Sequence, residues 1–139
     1  MTNLTKMRSW LKTFPQWDKD CDLHTDYTDA LPGNSGLYPL GAEEISRQED
    51  VLGNVTVRCR YRFSLCRVAG LADRLANAQW LLDFQQWVRQ QSAAGAAPVF
   101  GDDPGSEKIW AEKGKLSDGS QTGTGKYTVT LIAEFIKQY

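Results

Sequence analysis

Residues 55–65 have the sequence VTVRCRYRFSL, and this stretch decides the fold. Apolar and polar residues alternate along it, and the polar positions include three arginines, Arg58, Arg60 and Arg62. Side chains of a β-strand point to opposite faces with a period of two, so the pattern predicts a strand with one apolar and one basic face. The apolar face must cover a core, whereas the basic face lies in water or meets an acidic surface.

A second strand is predicted immediately before this one. Residues 42–50, AEEISRQED, are polar and acidic, and residues 52–54 provide a turn. A hairpin through that turn places four carboxylates near the arginine row: Glu43, Glu44, Glu49 and Asp50. Opposite charges across two strands contribute roughly 0.2–1 kcal/mol per pair. The row therefore has two interpretations that remain open, an internally paired surface or a surface for an acidic partner.

Two helices are predicted from apolar residues that recur every three or four positions. Residues 3–14 form a short one that ends before Pro15. Residues 72–92, ADRLANAQWLLDFQQWVRQQS, give the stronger signal. The apolar positions of this second helix fall into two rows: Leu75, Ala78 and Leu82 in one, and Ala76, Trp80, Phe84, Trp87 and Val88 in the other.

The remaining segments complete an α+β chain. Residues 22–29 are a candidate first strand, and LPGNSG at 31–36 is a turn signal. Residues 109–136 predict two strands around a Gly-, Ser- and Thr-rich loop at 117–125. We therefore expect one domain, 1–139, with an antiparallel sheet that contains a long hairpin and packs against the N-terminal and central helices. The arginine strand, at about 36 Å, is long enough to project beyond the core.

Composition narrows the function classes. The net charge of the 139 residues is −1, which argues against a specific nucleic-acid binder. No apolar run approaches the ~18 residues of a membrane span, and the N-terminus lacks the apolar stretch of a signal peptide. Three cysteines without paired spacing indicate reduced thiols in a cytosolic setting, and Cys59 and Cys66 are predicted to face opposite sides of one strand.

No recognisable catalytic or cofactor motif is present. His24 is the only histidine, and a nucleophilic arrangement would need one of its neighbours, Cys21, Asp22 or Asp26. None of these lies in a nucleophile-elbow pattern, so a structural histidine is favoured over a small hydrolase or acyltransferase. We expect no enzyme activity, no cofactor and no metal, because one histidine and three scattered cysteines do not form a zinc-ligand pattern.

The segment GSQTGTGKY, 119–127, resembles a phosphate-binding loop only superficially. Ser120 stands where that motif needs its first glycine, and Tyr127 follows the lysine in place of Ser or Thr. We expect a hairpin loop instead, in which Thr122 and Lys126 contact a partner. Trp17 and Trp110 lie near predicted loops, where tryptophan either anchors an interface or belongs to the core.

Five segments of the chain form a recognisable pattern: MRSWLKTFPQW, DYTDALPGNSGLYPLG, EDVLGNVTVRCRYRFSL, WLLDFQQWV and QTGTGKYTVTLIAEF. Together they resemble one family of small phage proteins, described as minor capsid or minor tail proteins, from prophages of gut Firmicutes. They span nearly the whole chain. They are patterns of sequence and not chemical signatures, so no catalytic residue is carried over.

The resemblance implies a tail terminator, or tail-completion protein, of a long-tailed phage. Such a protein is α+β, forms a hexameric ring that caps the tail tube, and contacts the head connector; it is often a monomer until it meets a partner. It would act in the virion and, during assembly, in the host cytoplasm. The closest alternative is a head–tail joining (neck) protein, and a more distant one is an adaptor that binds peptide or nucleic acid through the arginine row.

Overall fold

The computed structural model describes residues 2–28, 31–119 and 123–139. Within these residues the chain forms two α-helices and five strands in the order α1–β1–β2–β3–α2–β4–β5. Their bounds are Asn3–Leu11 (α1), Leu23–Thr25 (β1), Ser35–Glu49 (β2), Val55–Gly70 (β3), Arg74–Ala93 (α2), Lys108–Gly119 (β4) and Thr124–Gln138 (β5). The α+β class predicted from the sequence is confirmed.

All five strands belong to one sheet with the spatial order β1-β2-β3-β5-β4. The predicted hairpin of β2 and β3 is confirmed, with Glu49 paired opposite Val55. β3 also pairs antiparallel with β5 along its length, from Thr56 opposite Gln138 to Gly70 opposite Thr124. The arginine strand is therefore the centre of the sheet, and the hairpin that it forms with β2 ends in an exposed turn at Val51 and Leu52.

The sequence predicted an antiparallel sheet, but the sheet is mixed, because β1 runs parallel to β2. Leu23 pairs with Ser35, and Thr25 pairs with Leu37. Because the two strands are parallel, the chain must return to the level of the start of β1 before β2 begins. Tyr27 and Thr28, which follow β1, lie close to β2. A Cβ at Gly36 would collide with the backbone carbonyl of Tyr27 and with the Thr28 hydroxyl, so only glycine allows this approach.

Both helices cover one face of the sheet. The odd-numbered residues of the central strands share a single buried cluster with residues of α1 and α2. That cluster includes Met7, Leu11, Phe14, Phe63, Leu65, Trp80, Phe84, Val88, Val129, Leu131 and Phe135. Burial of apolar surface stabilises a fold by about 25 cal/mol per Å², so this layer makes the main contribution to stability.

Phe84 lies at the middle of the helix layer and is fully buried. Its ring stacks on Trp80 at 5.4 Å and contacts Phe14 edge-on at 5.4 Å. Trp87 is 5.9 Å from it and stacks in turn on Trp10 at 4.8 Å. Such aromatic pairs contribute about 0.5–1.5 kcal/mol beyond the area they bury.

Only one of the two apolar rows of α2 faces the core. Trp80, Phe84 and Val88 are buried, whereas Leu75 and Leu82 are 81% and 61% exposed. A helix that lies on one sheet face turns its opposite side to solvent, so none of the residues that the structure describes covers the second row. Large exposed aliphatic side chains in a row are a feature of interaction surfaces.

Substitution of Phe84 by alanine tests this view of the core. Phe84→Ala is expected to lower the free energy of unfolding by about 3–5 kcal/mol, because a filled aromatic site becomes a cavity. The control Leu75→Ala, on the exposed row of the same helix, should change it by less than about 0.5 kcal/mol. Both values come from urea unfolding of the dilute chain, and equal losses would contradict the assignment of the two rows.

Candidate assembly surfaces

The arginine row lies on the sheet face that neither helix covers, which we call the open face. Arg60 donates to Glu134 of β5 at 2.6 Å and to Glu43 of β2 at 3.4 Å. Arg62 also contacts Glu43, at 3.3 Å. Cross-strand pairing, one of the two interpretations offered for the row, is thus confirmed for these two arginines. The hydrogen bond that Arg60 donates to Glu134 is the main cause that raises the pKa of Arg60.

The carboxylates that contact the arginine row differ from those predicted. Glu44 does not reach the row, because it lies on the helix-side face and pairs with Arg47 at 2.8 Å. This exposed pair lowers the pKa of Glu44. Glu134 supplies the second carboxylate of the row instead. Sequence reasoning missed Glu134 because only the pairing of β5 with β3 brings it opposite Arg60.

Arg58 is the member of the row that keeps its charge free. Within the described residues it has no ion pair, and its partners across the two neighbouring strands are Ser46 and Ile136. A single unpaired guanidinium leaves little net positive charge on the open face. The row is therefore a weak surface for an acidic partner.

The two tryptophans proposed for an interface have different environments. Trp17 is only 7% exposed and lies 6.2 Å from Trp80, so it belongs to the core of the subunit and cannot anchor a partner. Trp110 is half-buried on the edge strand β4, opposite Ile132, and lines a surface cavity against α2. The interface interpretation therefore stays a prediction for Trp110 alone.

Of the two residues predicted to contact a partner from the loop, the structure describes only Lys126. Thr122 lies outside the described residues. Lys126 is exposed, and its carbonyl accepts a hydrogen bond from Ser117 Oγ at 3.0 Å. Lys126 lies in β5, which follows the loop directly, whereas a phosphate-binding loop leads into a helix. The rejection of that motif is confirmed.

The turn between β2 and β3 presents an exposed aliphatic pair on a rigid support. We call residues 49–52 the arm tip; within it Val51 is 100% and Leu52 84% exposed. The Asp50 carboxylate accepts hydrogen bonds from the backbone of Leu52 and Asn54 and from the Asn54 amide, each at 2.9 Å. These bonds, led by the Asn54 side chain, lower the pKa of Asp50.

The turn that holds the arm tip also depends on one glycine. Gly53 has φ +86°, a left-handed conformation that residues with a Cβ rarely adopt. Its N–H donates to the Asp50 carbonyl at 3.1 Å. Sequence reasoning recognised the turn here but not its exposed aliphatic pair, although Val-Leu between Asp and Gly-Asn is an available signal.

A groove runs along the other edge of the sheet, between α2 and β4; we call it the α2–β4 groove. Two cavities of about 380 and 410 Å³ form it, and they meet at Leu82 and Gln85. One cavity is bounded by Arg74 and Lys115, and the other by Arg89 and Trp110. The first cavity has a mainly apolar lining, whereas the second also holds Gln86 and Glu112. The apolar part of the groove, together with the exposed row of α2, makes it a candidate binding surface.

His24 does not form the nucleophile–base contact that an enzyme of the proposed kind needs. Its Nε2 is buried without a hydrogen-bond partner, and its ring lies 4.3 Å from Tyr27. Cys21 contacts the Pro32 carbonyl at 3.8 Å and not the imidazole. Within the described ranges, no group of three or more His, Cys, Asp or Glu residues is arranged to hold a metal ion.

No helix of the described chain is long and apolar enough to cross a membrane. No protein-family model matches the chain, and no curated protein matches it either. Function is therefore inferred from the arm tip, the α2–β4 groove and the sequence pattern.

The Arg60–Glu134 pair offers a test of the open face. Glu134 is 14% exposed, so Glu134→Gln leaves Arg60 with a single, more exposed carboxylate and should clearly lower the urea midpoint of unfolding. The matched control, Glu44→Gln, breaks an ion pair with both side chains about half exposed and should leave the midpoint nearly unchanged. A similar response of the two variants would mean that the row contributes no more than a solvated surface.

Proposed function

We propose that the chain is a phage assembly protein, a tail terminator that closes into a ring on the tail tube and contacts the head connector. One observation carries this proposal: the subunit exposes two different apolar surfaces, the arm tip at the turn of the β2–β3 hairpin and the α2–β4 groove at the β4 edge of the sheet. A subunit with two unlike surfaces associates head to tail, and head-to-tail association yields a ring when the rotation closes.

Other features agree with an assembly role and less with the alternatives. The α+β architecture is the one that the family resemblance implies. An adaptor for an acidic partner is less favoured, because Glu43 and Glu134 neutralise Arg60 and Arg62. An enzyme that uses His24 is less favoured, because its Nε2 has no hydrogen-bond partner.

The expected partners are other copies of the chain, the tail tube protein and the connector. In a ring that caps the tube, one face meets the tail tube and the opposite face meets the head connector. The contacts with these two proteins therefore lie on opposite sides of the ring. The neck-protein alternative uses the same subunit surfaces but binds the connector without the tube. We therefore place the protein in the virion, with assembly in the host cytoplasm.

Mass measured by light scattering tests the proposal. The chain is measured across a concentration series, alone, with tail tubes purified from the phage that encodes it, and with the connector of that phage. We expect a closed oligomer, either in the chain alone or formed only with tubes, because a terminator must cover the tube end. Binding to the connector without any binding to tubes would favour the neck protein, and a monomer indifferent to both would refute an assembly role.

A further inference from the structure

The two edges of the sheet carry opposite charge. Residues 40–50, along β2, contain four carboxylates and one arginine, a net charge of −3. β4, from Lys108 to Gly119, contains three lysines, one glutamate and one aspartate, a net charge of +1. Arg74 and Arg89 of α2 are exposed beside β4 and add to the positive side. The subunit is therefore electrically asymmetric across its sheet, although the whole chain is nearly neutral.

The cations at the groove are not used within the subunit. Across the part of the chain that the structure describes, Arg74, Arg89 and Lys115, which line the groove, form no ion pair. Glu49 at the arm tip is likewise exposed and unpaired there. The arginine row, by contrast, is largely neutralised in place. The free positive surface that could meet the acidic arm is thus the groove and not the row.

The arm tip and the groove also match in polarity. The groove is lined by Ala78, Leu82 and Leu116, and Leu82 is 61% exposed. The tip presents Val51 and Leu52 with almost their whole side chains in solvent. Contact would remove both aliphatic surfaces from water while the tip carboxylates approach the cations at the groove ends, a combination of apolar anchor and charged rim that is typical of interfaces.

A second groove on the subunit fits the arm tip less well. It lies at the base of the arm on the helix-side face and is lined by aromatic residues such as Tyr61 and Phe135. Its lining holds Glu43 and Glu44 beside Arg47 and Lys137, so the charges of these four side chains balance. The α2–β4 groove holds Arg74, Arg89 and Lys115 against the one carboxylate of Glu112. An acidic tip therefore meets a net positive surface in the α2–β4 groove, and electrostatics favours that site.

The contact involves side chains and does not extend the sheet. β2 has bulges between Pro39 and Gly41 and between Glu44 and Ser46. β4 has irregular pairing from Glu112 to Lys115, where Lys113 has φ +60°. Bulges, proline and charge at edge strands obstruct strand-to-strand pairing. Two blunted edges leave the tip and groove as the available means of joining copies.

We propose that the arm tip of one copy occupies the α2–β4 groove of the next, with Val51 and Leu52 against Leu82 and Glu49 facing the groove cations. This inference rests on the proposed ring and specifies its subunit contact. The contact is heterologous, because the tip and the groove are different surfaces of the same chain. Each copy in a closed ring uses both surfaces once.

A mixing experiment tests the contact. The tip variant Val51→Ser/Leu52→Ser has an intact groove, and the groove variant Leu82→Ser/Lys115→Glu has an intact tip. Each is expected to associate at least about tenfold more weakly than the unaltered chain, which corresponds to about 1.4 kcal/mol. Their equimolar mixture should form dimers and nothing larger, because one intact tip and one intact groove remain. Sedimentation velocity, alone and with tail tubes, resolves these species.

The matched control is Leu40→Ser on the arm base, where the leucine is 58% exposed, close to the 61% of Leu82. It should assemble like the unaltered chain, and thermal unfolding checks that every variant is folded. If both variants assemble normally, or if the mixture forms no dimer, the tip–groove contact is wrong although a ring can still exist. If the unaltered chain never associates, alone or on tubes, the proposed function and this contact are both wrong.

Discussion

The constraint on which the structure depends is that β3 has a strand on each side along nearly its full length. A central strand of a sheet must place its odd and even side chains on different faces. One set, including Phe63 and Leu65, is buried beneath both helices, and the other carries the arginines onto the open face. The helix layer centred on Phe84 can pack on only one of these faces, and the rest of the architecture follows from that division.

The central position of β3 also determines which carboxylates pair with its arginines. With β2 on one side and β5 on the other, Arg60 lies between Glu43 and Glu134 and contacts both. A strand at an edge would have only one such neighbour. The most conspicuous basic sequence in the chain therefore becomes a nearly neutral surface. Among the described residues, unpaired cations also lie on α2 and β4, where the sequence shows only scattered lysines and arginines.

The same division produces the proposed assembly surfaces. Because both helices occupy one face, the two edges of the sheet are unlike: one is the acidic β2 arm with its rigid tip, and the other is β4 beside the outer row of α2. Such asymmetry suits head-to-tail association more than a two-fold contact, in which one surface would have to complement itself. The bulges on both edges also favour a closed assembly, because they hinder the unlimited addition of copies by strand pairing.

The sequence by itself determined the elements: the alternation of β3 and β5, the hairpin of β2 and β3, and the two helices, each of which is a periodic pattern set by local backbone geometry. It also indicated that Glu43 would meet the arginines, because a tight turn joins those strands. Only the tertiary structure decided that Glu134 completes the pairing, that Trp17 is buried and that Leu75 and Leu82 are exposed. These outcomes depend on which elements become neighbours, and a local period carries no information about neighbours distant along the chain.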